Sequence, residues 1–226
     1  MRNITAVFLK QVKDTFKNRS VFLMFVLMPA LAVVFENVVN LENMPEHFFV
    51  KLFSVMFIGM APLTTVSSII SEEKEKNTLR ALIMANVRPW EYLMGVGTYI
   101  FVCCMAGTAV FAAVSGFEGG ELLRFVLIMA AGIIISELVG AVIGISCENQ
   151  MSAASIHVPV MMVLSFLPML SMFSDTIGKI ASIFYSQQIN RMINGENYGT
   201  GMTVSAINLA ILITIFVIIF KKKGIE

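Results

Sequence analysis

Residues 71–93 read SEEKEKNTLRALIMANVRPWEYL. Charges of mixed sign at Glu72, Glu73, Lys74, Glu75 and Lys76 interrupt a chain that is apolar on both sides. Leu79, Leu82 and Ile83 then recur at helical spacing, Asn86 follows, and Arg88-Pro89 marks a stop. The charges read as a solvated helix end. A short helix with an apolar stripe just beyond them calls for a partner surface: lipid, the rest of the chain, or a separate protein.

The flanks decide the class. The chain is 57% hydrophobic and 14% charged, against about 25% charged in a soluble domain. It reads as an integral membrane protein. Six apolar runs, at 20–39, 48–70, 90–115, 122–146, 152–173 and 203–220, approach the roughly 20 residues a helix needs to cross a bilayer. They lack the alternation of barrel strands, so the expected fold is all-α. Pro29, Pro62, Pro159 and Pro168 fall inside runs, where each frees a carbonyl. The N-terminus does not read as a cleaved signal, because charges stand where a signal's apolar core would be.

Lysine and arginine set the expected orientation. Arg2, Lys10, Lys13, Lys17 and Arg19 precede the first run. Lys74, Lys76, Arg80 and Arg88 sit in the second connection, and Lys221, Lys222 and Lys223 close the chain. Only Lys51, Arg124, Lys179 and Arg191 fall on the other side. Both termini and the 71–93 stretch are therefore expected in the cytoplasm. The opposite side carries Glu42, Glu46, Glu118, Glu121, Asp175 and Glu196.

Two further segments look amphipathic. Ile4, Val7, Phe8, Val12 and Phe16 share a helical face, with Lys10, Lys13 and Lys17 away from it, which predicts an interface helix over 1–19. Ile177, Ile180, Phe184 and Met192 mark an outer or re-entrant helical segment within 174–201, ended by the turn-forming NGENYGTG. Cys103, Cys104 and Cys147 read as small buried hydrophobes, and no metal-ligand spacing is visible. A net charge of +1 gives no basic field for nucleic acid.

The 71–93 stretch resembles the cytoplasmic connection of the ABC-2 type permeases, the membrane subunits of type V ATP-binding-cassette exporters. The family pattern is an E-[KR]-E run, then Gly-Thr-Leu, an apolar helix and a Pro-containing turn. Glu73-Lys74-Glu75, Thr78-Leu79 and Pro89 match it. Asn77 replaces the usual Gly, with similar backbone tolerance, and Arg80 stands where the family is often acidic. The resemblance covers the whole chain, 1–226, as a single transmembrane domain with an interface helix (1–19), a coupling segment (71–89) and an outer segment (174–201). It implies that Glu73, Glu75, Thr78, Leu79 and Leu82 contribute to coupling with an ATPase. The chain has no G-x-x-x-x-G-K-[ST] loop, so ATP must bind a separate ABC ATPase subunit, and no cofactor is expected on this chain. The resemblance further implies a dimer with a second permease chain, a bacterial plasma membrane, and no catalytic role. Drugs, peptides, small hydrophobic molecules and ions all stay open as cargo.

Inside the runs, Glu137 reads as a pathway or gating residue, as a neutral, protonated acid hydrogen-bonded between helices, or as an acid hydrated near the cytoplasmic half. His157 is a pathway candidate or a helix-packing histidine. Gly132, Gly140 and Gly144 are spaced to admit a close helix, and Asn208 is expected to bridge helices. Two rival classes remain at this point. A stand-alone secondary transporter or channel would need coupling-ion sites beyond Glu137. An intramembrane protease could be sought in Ser146 and His157, but no supporting constellation accompanies them.

Overall fold

The structure is a computed structural model and describes residues 2–17, 19–39 and 45–223, with backbone alone at 2, 15–17, 19–21 and 223. Glu42 of the outer acidic set lies outside the described residues. So do the side chains of Arg2, Phe16, Lys17, Arg19 and Lys223.

Every regular element among the described residues is helical. In chain order they are α1 (Arg2–Lys17), α2 (Arg19–Val38), α3 (Phe48–Glu75), α4 (Thr78–Met84) and α5 (Pro89–Ser115). Then come α6 (Gly119–Ser146), α7 (Gln150–Leu170), α8 (Asp175–Ala181), α9 (Tyr185–Ile193) and α10 (Tyr198–Lys223). Helices α3, α5, α6, α7 and α10 are each long and apolar enough to cross a membrane. The apolar part of α2, Phe22–Val38, is shorter. The chain is thus a multi-pass membrane protein with at least these five candidate spans.

α3 is the central post, the most buried of the five, and α10 is the least buried. In lipid, apolar surface gives little drive for helices to associate, so close packing and interhelical hydrogen bonds must do it. Both are concentrated on α3. A Cβ at Gly140 would stand 2.3 Å from the Leu63 carbonyl oxygen, and one at Gly144 2.9 Å from Ile70 Cβ. Gly132 meets Ile58 in the same way, so α6 lies against α3 because these three positions carry no side chain. On the other flank, Gly59 admits Ser165 and the backbone of α7. Ser136 donates to the Ile58 carbonyl at 2.6 Å, and Ser165 to the Met56 carbonyl at 3.2 Å.

At one end of the bundle Glu36 of α2 tends the start of α3. Its Oε2 accepts from the Val50 N–H at 3.3 Å and its Oε1 lies 3.3 Å from His47 Nδ1. At this end Arg124 also stacks over the Tyr198 ring at 5.0 Å. The outer segment differs from its expected form. It is two short helices, and α10 begins at Tyr198, inside the supposed linker. Ile180 is exposed, while Met192 is buried together with Ser186, Gln187 and Gln188. α9 is wedged among α3, α6, α7 and α10, and its buried amides find partners that a period count cannot see. Gln188 donates to the Ser182 carbonyl, and Gln187 accepts from Ser171. Asn208 donates to the Ile183 carbonyl at 3.0 Å, tying α10 to the α8–α9 connection.

Candidate functional site

The charged stretch lies at the opposite end, where α3 runs to Glu75. At 28 residues α3 is about 42 Å long, more than the ~30 Å of a hydrocarbon core, so its last turns project beyond the apolar run. Successive helical residues point about 100° apart. Four in a row therefore face four different neighbours, and each of these side chains meets one.

Glu72 faces outward and pairs with Lys76, four residues on. That hydrogen bond and the Glu72 charge hold the Lys76 ammonium above the ordinary lysine range. Glu73 turns inward. It is 6% exposed, pairs with Lys10, and accepts from Gln11 Nε2 at 2.6 Å. The buried Tyr92 hydroxyl of α5 sits within electrostatic reach of the same carboxylate, without a hydrogen bond of ordinary geometry. Lys74 donates to the Ile145 carbonyl at 2.8 Å, at the C-terminal end of α6. Glu75 accepts from the Gln150 N–H at 2.8 Å, at the N-terminal end of α7. A cation on a helix C-terminus and an anion on an N-terminus each complement the helix dipole, by about 0.3–1 kcal/mol. Asn149 adds a cap of its own, accepting from Ser152 N–H at 2.8 Å.

The chain then reverses. Asn77 adopts the left-handed conformation (φ 55°, ψ 13°), the backbone that a Gly would supply at no steric cost. Thr78 Oγ1 donates back to the Glu73 carbonyl at 3.1 Å and starts α4. Leu79 is buried at 2% exposure, and Leu82 and Ile83 pack partly against the core. Arg80 and Met84 face out, Met84 at 77% exposure. α1 clamps the far side of this hairpin. Asn3 donates to Glu91 Oε2 at 2.9 Å, which also accepts the Arg88 N–H at 2.9 Å. Val7 fills the space that Gly95 leaves open on α5, and Phe8 meets the Tyr99 ring edge-on.

Glu73, Glu75, Thr78, Leu79 and Leu82 are thus brought together at one end, though only Glu75 among them is exposed. Lys10 does not point away with the exposed Lys13; it reaches Glu73. Gln11, Lys74, Tyr92 and Gln150 belong to the same cluster, and nothing in their local sequence announces it. Among the described residues no group of three or more His, Cys, Asp and Glu side chains could hold a metal ion.

Glu137 and His157 lie on different seams. His157 Nδ1 is 3.1 Å from Ser67 Oγ, buried between α7 and α3. Glu137 Oε2 lies close beside Gly97 of α5, both lining an apolar cleft, and among the described residues its Oε1 is buried without a hydrogen-bond partner.

The family model described as ABC-2 family transporter protein matches residues 42–221, which takes in α3 through most of α10. A search of the curated proteins finds no match.

Proposed function

The chain belongs to the ABC-2 transporter family, and from that premise we propose that it is the permease subunit of an ATP-driven exporter. α2 is the sixth span in this reading, and α1 lies in the cytoplasmic membrane interface with both termini on that side. Two such chains, or one with a related permease, form the pathway. A separate ATPase subunit grips the exposed face of α4 and the adjoining α6–α7 turn.

The observation that carries the reading is the arrangement of 72–75. Glu73 holds α1, Lys74 the end of α6 and Glu75 the start of α7, while the Asn77 turn hangs α4 from the same point. A displacement of α4 is thereby passed to α1, α3, α6 and α7 together. ATP-driven closure of the ATPase pair would bias the permease between two access states through this knot. In this account Glu73, Thr78, Leu79 and Leu82 transmit from inside the knot, and Arg80 and Met84 meet the partner.

The test is affinity purification of the tagged chain from its native membranes. The wild type brings down a polypeptide bearing a phosphate-binding loop. Arg80→Glu combined with Met84→Asp loses that polypeptide while the permease elutes as before. A wild-type chain that elutes with no such polypeptide contradicts the proposal.

A further inference from the structure

A cleft of about 540 Å³ opens between α3, α5, α6 and α10. That is within the ~300–1,000 Å³ range of small-molecule sites. Its walls are almost wholly apolar, and three of them are aromatic: Trp90, Phe101 and Phe216. Trp90 and Met94 are half-exposed at the mouth. Glu137 lies nine residues before the end of α6, about 13 Å along the helix. Its carboxyl faces Gly97, where a Cβ would come 3.6 Å from Oε2. Among the described residues its Oε1 is inaccessible and unpaired, and no basic side chain lines the cleft.

In such a place, without water or a counter-charge among the described residues, the ionised form of Glu137 is costly at membrane depth unless a cation stands beside it. Aromatic rings of the kind found on these walls attract cations as well. We infer that this cleft binds lipophilic organic cations, with Glu137 as the counter-charge and the apolar walls holding the hydrophobic body. Gly97 keeps the approach to the carboxyl open. The site belongs to this chain alone and does not rest on the ATP-driven reading.

Tetraphenylphosphonium and tetraphenylborate test it, because they match in size and shape and differ in sign. The purified full chain is held in dodecyl maltoside. Binding is measured by equilibrium dialysis, and by the emission of Trp90, the single tryptophan of the chain. Tetraphenylphosphonium binds saturably and changes Trp90 emission; tetraphenylborate does neither. Glu137→Gln weakens the cation by about tenfold or more, as expected for loss of a charged partner. Gly97→Met fills the approach, keeps the carboxyl and abolishes saturable binding, so the idea stays testable if Glu137→Gln misfolds. Absence of saturable cation binding to the wild type overturns the proposal. Equal binding of both probes, or unchanged affinity in either variant, overturns it too.

Discussion

Gln11 and Glu73, 62 residues apart in sequence, share a buried hydrogen bond of 2.6 Å, and Lys10 closes on the same carboxylate oxygen. This contact fastens α1 to the end of α3. It turns a charge that reads as solvated into a fixed joint. Burial is what makes the pairing matter, because a carboxylate without partners in that position would carry its full desolvation cost.

Replacing Glu73 with Ala therefore leaves Gln11 without its acceptor and Lys10 with only the more exposed Asp14, and the fold loses about 2 kcal/mol. In limited trypsin digestion of the purified chain, cleavage at Lys10 and Lys13 accelerates. Glu72→Ala, which removes an exposed pair and keeps every trypsin site, leaves cleavage at Lys10 and Lys13 unchanged. If Glu73→Ala digests like wild type, the Glu73 joint is not what holds α1.

The α3–α6 seam makes a second test. At Gly140 an added methyl meets a backbone carbonyl, which cannot rotate away, so Gly140→Ala costs roughly 1–3 kcal/mol. Gly120, where a Cβ meets nothing within 4 Å, takes Ala without loss. Thermal unfolding in detergent separates the two. Equal midpoints would mean that α6 is free to shift outward.

His157 and Ser67 make a third. Each is buried, and each would be left with an unpaired polar atom by removal of the other. A double-mutant cycle of Ser67→Ala and His157→Leu gives a coupling of about 1 kcal/mol. Additive single effects would assign His157 a role other than packing.

Much of the fold is legible in the chain because lipid imposes long apolar runs. α3, α5, α6, α7 and α10 follow their runs, and Asn77 takes the left-handed turn that the missing Gly called for. The glycines at 132, 140 and 144 meet α3 as their spacing suggests. The joint at 72–75 is not legible. A mixed-sign run fits a solvated helix end equally well, and the partners Lys10, Ile145 and Gln150 are distant in sequence. The stripe Leu79, Leu82 and Ile83 is likewise read correctly as apolar, yet periodicity cannot say what covers it. Here the chain's own bundle covers Leu79. The buried Gln187 and Gln188 of α9 escape for the same reason, since their acceptors and donors come from outside the helix.

If α4 is a cytoplasmic handle held by an ATPase, Met84, the large apolar side chain it exposes most, lies at the contact. A single cysteine is placed there as Met84→Cys, with Cys103, Cys104 and Cys147 replaced by Ala, and reacted with a membrane-impermeant maleimide. A cytoplasmic α4 gives no labelling from outside intact cells, labelling once the membrane is opened, and protection when the ATPase is bound. Labelling from outside intact cells would contradict it.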